Sequence, residues 1–428
     1  MLKKIAIGSI LIFFMTPCLQ DTYGRVYIDI DSPSLPKFPI AITDFYCPVD
    51  REGHSIWFPD QLGKFLKLTG YFQVIDKKAF LDTGTGGIRF ADWTAIGAES
   101  LVKGAVRNEG NILSSDFHLF DVTQGKSLVF KRYTGTARDK RAMVMRFASE
   151  IMLALTGEAG VFDTRIAFAG KKGKNSEIFT INFDGTDLTR LTNYRALSIL
   201  PHWSPDGRRI SFTSYKRGNP DLFVIEARGG PDHLLSNESG LNLCGPWSSD
   251  GRSLLVTLSR DGNEELYVFN QLNGKKYRLT NDTSIDVSPC WSPDGTKVAF
   301  VSNRSGSPQI YVMDANGYNV KRITYEGNYN TSPRWSPKGD KIVFEGMRGG
   351  NFQILTMNPE GGQLTQLTGS GRNDSPSWSP DGRYIAFVST TGGKSRLCIM
   401  NSNGSNFRII HSGMDKYMYP NWSPHLNF

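Results

Sequence analysis

Six tryptophans, Trp203, Trp247, Trp291, Trp335, Trp378 and Trp422, follow one another at steps of 44, 44, 44, 43 and 44 residues. Each has the same setting: Pro201-His-Trp203-Ser-Pro-Asp-Gly207, Pro246-Trp247-Ser-Ser-Asp-Gly251, Pro289-Cys-Trp291-Ser-Pro-Asp-Gly295, Pro333-Arg-Trp335-Ser-Pro-Lys-Gly339, Pro376-Ser-Trp378-Ser-Pro-Asp-Gly382 and the shortened Pro420-Asn-Trp422-Ser-Pro424. Self-similarity at a fixed step of this size belongs to architectures in which one supersecondary unit stacks on the next. After each Ser-Pro-Asp-Gly element come β runs such as 297–302, 309–314 and 321–324. With the short strand around Trp291 these make four, and four antiparallel strands per unit predict a propeller blade. The turn has its own chemistry: Pro presets φ, Asp bonds its own backbone, and Gly accepts the positive φ that closes the hairpin. The repeated Trp, with Phe212, Phe300, Phe344 and Phe387, read as packing between blades.

The sixth unit breaks off after Trp422-Ser423-Pro424, so its outer strands must come from elsewhere in the chain. Runs at 165–169, 177–181 and 189–192, ahead of the first Trp, match the second, third and fourth strands of a blade. The ring is therefore expected to close through one blade built from both ends of the propeller segment, which leaves no open sheet edge. The fold class is thus two domains: an N-terminal α/β domain over 25–157, then an all-β six-bladed β-propeller over 158–428.

The chain start reads as an export signal, with Lys3 and Lys4 ahead of an apolar run, 5–15, that is too short to span a bilayer. Cleavage is expected between Cys18 and Gly24. Met15-Thr16-Pro17 departs from the small-residue run of a lipobox, which argues against lipidation of Cys18. Between 25 and 157, strand signals at 26–30, 40–43 and 72–75 alternate with helix signals at 60–68 and 93–99. A hairpin with first arms 100–106 and 115–121 follows. An amphipathic helix over 141–155 closes the domain, with Val144, Phe147, Ile151 and Leu155 on one face and Gly157 as its stop. Gly84-Thr85-Gly86-Gly87 lacks the Gly-Lys-Ser/Thr ending of a phosphate loop and reads as a surface loop.

Composition narrows the function classes. A chain with 39% hydrophobic residues and 12% aromatics is not disordered. Its formal charge of +8 is spread through turns, without the basic block of a nucleic-acid arm, and suits an acidic protein partner better. Beyond the leader no run is apolar for about 18 residues, so no membrane span is expected. Cys47, Cys244, Cys290 and Cys398 have neither disulfide-framework nor metal spacing and read as separate packed thiols. His54, His118, His202, His233, His411 and His425 form no ligand pair, and no G-x-S-x-G occurs. No cofactor, metal or catalytic residue is expected.

The order of parts resembles the TolB family over nearly the whole mature chain. It comprises the leader, the α/β domain, a junction from Leu155-Thr-Gly157 to Thr164-Arg-Ile-Ala-Phe168, the Trp-Ser-Pro-Asp-Gly blades and the terminal Pro-Asn-Trp-Ser-Pro. Ser249 for Pro and Lys338 for Asp are departures expected to alter turn stability more than function. The resemblance implies a non-catalytic, monomeric periplasmic scaffold of the Tol–Pal system, which supports envelope integrity and constriction at division. It implies binding of the lipoprotein Pal at one mouth of the propeller channel, and of TolA through the N-terminal segment and domain.

Loops entering the innermost strands of a propeller encircle one channel mouth. They precede each Pro-x-Trp, or Pro-Trp in the second repeat. The candidate contacts are Ser198, Leu200, Asn242, Gly245, Asp286, Val287, Ser288, Asn330, Thr331, Ser332, Asp374, Ser375, Met418 and Tyr419. Asp286 and Asp374 are expected to accept charge-assisted hydrogen bonds from a basic partner side chain. Communication between the domains is expected to run through the 157–165 junction. Two other classes stay open: a glycan- or peptidoglycan-binding propeller with Tyr417 and Tyr419 stacking on sugars, and a propeller-containing hydrolase.

Overall fold

Strand signals of the N-terminal region assemble into one mixed sheet. The computed structural model describes residues 37–81 and 87–426; the leader, its cleavage site, the strand signal at 26–30 and most of the Gly84–Gly87 loop lie outside them. Strands β1 (Phe38–Ile42), β2 (Phe72–Val74), β3 (Ser100–Glu109), β4 (Ile112–Asp121) and β5 (Lys126–Gly135) lie in the order 2-1-3-4-5. β1 runs parallel to both neighbours, whereas β3, β4 and β5 form an antiparallel meander.

Helix α1 (His54–Thr69) begins well ahead of the expected residue 60. Pro59 looks like a first-turn residue, but the true start is set upstream by Gly53 at φ 68 and by Asp50, which accepts from His54 N at 2.7 Å and Ser55 N at 3.0 Å. Helix α2 (Phe90–Ala95) is shorter and earlier than the 93–99 signal, because Gly97 at φ 77 ends it. Helix α3 (Lys140–Thr156) buries Val144, Phe147, Ile151 and Leu155 and stops at Gly157, φ 80, as its periodicity requires.

The propeller consists of six four-stranded antiparallel sheets. Numbered from Trp203, blades one to five each use four consecutive strands, and the sixth joins the last strand, Lys416–Trp422, to Arg165–Lys172. The seam is fastened by Ser423 N donating to Arg165 O at 2.8 Å, Arg165 N to Ser423 Oγ at 2.9 Å, and Trp422 Nε1 to Thr164 Oγ1 at 2.8 Å. Blades cohere through apolar clusters that cross their boundaries: Phe300 packs with Leu255 and Leu266 of the preceding blade, and Phe344 with Ala299 and Ile310. Cys244, Cys290 and Cys398 are buried free thiols and Cys47 is part-exposed.

The turns show why one departure from the repeat is tolerated. Ser204, Ser248, Ser292 and Ser379 each donate through Oγ to the Asp two residues on, at 2.5–2.6 Å. Ser249 in place of Pro leaves that bond intact. In blade four, where Lys338 replaces Asp, Ser336 Oγ turns to Asp340 at 2.9 Å. Lys338 Nζ instead reaches Glu158 of the junction at 3.5 Å, and Glu158 also pairs with the buried Arg383 at 3.1 Å.

A continuous core joins the two domains. Phe65 and Tyr71 pack with Phe162 and Tyr384 of the propeller segment, which in turn meet Phe183, itself against Trp422. Asn406 Nδ2 donates to Leu68 O at 3.2 Å, and Arg141 pairs with Asp184 at 2.9 Å. Among the described residues no helix is long and apolar enough to cross a membrane.

Candidate functional site

The innermost strands, Ser198–Trp203, Asn242–Trp247, Asp286–Trp291, Asn330–Trp335, Arg372–Trp378 and Lys416–Trp422, touch one another in a closed ring. The candidate contacts therefore lie within strands and not in the loops that enter them. This corrects the sequence reading, and it divides the candidates into three groups.

The fifth residue before each Trp is buried: Ser198, Asn242, Asp286 and Asn330, with Asn373 and Tyr417 as their counterparts. Ser198 and Asp286 fasten the strand to its own blade, whereas Asn242, Asn330 and Asn373 fasten it to the blade before. Ser198 Oγ lies 3.0 Å from Ser214 Oγ. Asn242 accepts from Glu238 N at 3.0 Å and donates to Glu238 O at 2.7 Å. Asn330 donates to Gln309 Oε1 at 2.8 Å and to Glu326 O at 2.9 Å. Asp286, expected to await a basic partner group, is fully buried and already pairs with Arg304 at 2.8 Å. Burial holds its carboxyl above the usual range even so. Tyr417 is fully buried, its hydroxyl 2.5 Å from His411 Nδ1, so it offers no ring face to a sugar.

The next two positions stay part-exposed: Val287, Thr331, Asp374 and Met418, then Leu200, Ser288, Ser332, Ser375 and Tyr419 just before the prolines. The latter five are left-handed, φ 52–57. Irregular pairing accompanies them in blades three to six, as between Val287 and Cys290 or Thr331 and Arg334. A bulge of this kind re-aims side chains, and left-handed backbone in non-glycine residues is a strain that functional sites retain. Gly245 differs: it is buried, and a Cβ there would come within 2.5 Å of Leu255 O, so backbone proximity demands glycine.

Asp374 accepts from Arg372 Nε at 2.7 Å. Behind it lies Glu345, which accepts from Ser332 Oγ at 3.1 Å and Ser375 N at 2.6 Å. Burial, with the Asp374 charge second, pushes the Glu345 carboxyl up to about 7. Sequence reasoning missed Glu345, although it follows the repeated Phe344 where other blades place Thr213, Val301 or Val388.

The residue between Pro and Trp was missed as well. Asn421 Oδ1, Ser377 Oγ and Cys290 Sγ accept the backbone N–H of the next blade's Trp, at 2.8, 3.0 and 3.2 Å. His202 and Arg334 hold this place in blades one and four, on opposite sides of the ring. Burial, with the Arg334 charge second, pushes the His202 imidazole well below its usual range. Among the described residues no cluster of His, Cys, Asp or Glu is placed to hold a metal ion.

A closed propeller with a ring of part-exposed, strained residues midway along its channel strands, sharing a core with an α/β domain, defines a two-domain β-propeller protein. Comparison makes the class specific. Residues 153–426 match the model of the TolB β-propeller domain, and residues 26–128 that of the TolB amino-terminal domain. The chain belongs to the TolB family. It is 46% identical over 203 residues to the Tol-Pal system protein TolB of Syntrophus aciditrophicus, a match covering 44% of this chain and 45% of that one. The relative from Desulfosudis oleivorans is 37% identical over 211 residues, 47% and 48% of the two chains. The matched segment thus spans about half the length of these relatives. The crystal structure of TolB from Acinetobacter baumannii superposes with a TM-score of 0.82 at 27% identity, covering 91% of this chain and 97% of that one.

Proposed function

We propose that this protein is a non-catalytic, monomeric scaffold of the periplasm that binds the lipoprotein Pal at the mouth of its propeller channel and TolA through its N-terminal region. In that role it supports outer-membrane integrity and envelope constriction during division. The observation that carries the reading is the ring of pre-proline residues held left-handed midway along the channel strands, just inside the positions by which the chain enters them. Five strained residues in equivalent places form a rigid rim, and a preorganised rim loses little entropy when a protruding loop enters it. Polar Ser288, Thr331, Ser332 and Ser375 beside apolar Leu200, Val287 and Met418 give the mixed lining typical of protein recognition. Sedimentation of the mature protein with the periplasmic domains of Pal and TolA, singly and together, tests the partners. Complexes with each support the scaffold; folded protein that sediments alone in both mixtures overturns it.

A further inference from the structure

We propose that Arg334 forms an anion site inside the propeller channel whose ligand is a carboxylate, carried either by an acidic side chain of the partner at the mouth or by a small free organic acid. The partner source rests on the function proposed above; the site itself does not.

The residue between Pro and Trp has a structural task in blades three, five and six, where it accepts the N–H of the next blade's Trp. A guanidinium has five donors and no acceptor, so Arg334 cannot perform that task. Its Nη1 donates to Pro333 O at 2.8 Å, and its Nε is buried with no hydrogen-bond partner among the described residues. No carboxylate of the described residues forms an ion pair with it. Glu345, the acid within electrostatic reach, has both oxygens engaged by Ser332 Oγ and Ser375 N. Arg334 as a whole is part-exposed, but its Nε is buried and unbonded among the described residues, and a buried unpaired donor of a cation is costly to keep until an anion arrives.

The surroundings select the anion. A cavity of about 40 Å³ lies against Arg334, bounded by Leu200, His202, Gly245, Val287 and Ser288. That volume admits a carboxylate head or a water but no ring. Among the described residues the cavity is lined by no second Lys or Arg, and burial pushes the neighbouring His202 imidazole well below its usual range, so the lone guanidinium suits a planar monoanion, which its fork can hold bidentately, better than a phosphate. The same cavity is walled by residues of the mouth, so a side chain entering there meets Arg334 at the end of its path.

The test combines nuclear magnetic resonance and calorimetry on the mature wild type, Arg334→Lys and Arg334→Met, each checked for folding by circular dichroism. The Arg334 Nε–Hε signal is assigned by its loss in Arg334→Lys. Acetate, at constant ionic strength, is expected to shift that signal saturably in the wild type, with inorganic phosphate producing less effect. Pal's periplasmic domain is expected to bind Arg334→Met about tenfold or more weakly than the wild type. A shift with acetate and unchanged affinity of Arg334→Met for Pal assigns the site to a free organic acid. Weakened Pal binding without an acetate effect assigns it to the partner's side chain. If Pal does not bind the wild type, the proposed function fails and the acetate arm alone decides the site. A signal unmoved by acetate and by Pal, or one moved more by phosphate, overturns the proposal; these readings need no folded Arg334→Met.

Discussion

Leu200, Ser288, Ser332, Ser375 and Tyr419 combine two unfavourable features, left-handed backbone at φ 52–57 and a following proline. Left-handed backbone costs a side-chain-bearing residue roughly 1–2 kcal/mol. Ser288→Gly is therefore expected to keep or raise stability, whereas Ser288→Val lowers it by about 1–2 kcal/mol, as urea denaturation would read. Equal effects of the two variants would contradict the strained rim. Glu345 sets a pH dependence. With its carboxyl pushed up to about 7 in the folded state against 4.5 ordinarily, the folded chain holds a proton that the unfolded chain has released. Stability should fall as pH rises from the ordinary carboxylate range to about 7, by on the order of 3 kcal/mol, and Glu345→Gln should flatten that segment. A wild-type profile rising through the same window would reverse the sign. At this scale the sequence placed the candidates next to the prolines but not their side chains. Period-two alternation cannot be counted through a bulge, so buried Asn242 or Asp286 could not be told from part-exposed Val287 or Thr331.

Blades are the elements whose residues speak most plainly, because most of them repeat a Ser-Pro-Asp-Gly turn and a Phe nine residues after the Trp, with Val256 in its place in blade two. Closure of blade six by both ends of the segment could be read from where the repeat stops. The N-terminal helices were displaced for identifiable reasons: Pro59 imitates a helix start inside α1, and Gly97 ends α2 early. The seam makes the six tryptophans unequal. Trp422 is buried in the core shared by both domains and donates to Thr164, while Trp291 is part-exposed and its indole N–H has no hydrogen-bond partner among the described residues. Trp422→Ala is expected to cost about 3–5 kcal/mol and Trp291→Ala clearly less, measured by thermal unfolding. The opposite order would mean that closure does not depend on the seam.

The whole molecule is more integrated than a two-domain reading of the sequence suggests. Contacts such as Tyr71 with Tyr384 join residues far apart in the chain and leave no periodic trace. Lys338, which looked like a mere turn variant, finds its reason in Glu158 of the junction. Glu158 also meets Arg383, which is 1% exposed and has two further nitrogens without hydrogen-bond partners among the described residues. Glu158→Gln should lower stability by about 1–3 kcal/mol. If the junction couples the domains, the same variant should bind Pal normally yet lose any influence of Pal on TolA binding; an influence that persists would place the coupling elsewhere. Recognition at the channel mouth itself is tested most directly by calorimetric titration with Pal's periplasmic domain. The variants are Thr331→Arg at the rim and Ser249→Arg in an exposed turn at the far end of the same strands. One-to-one binding weakened about tenfold or more by Thr331→Arg and left unchanged by Ser249→Arg is the expected result. Binding indifferent to Thr331→Arg but weakened by Ser249→Arg, or no binding by the folded wild type, would contradict it.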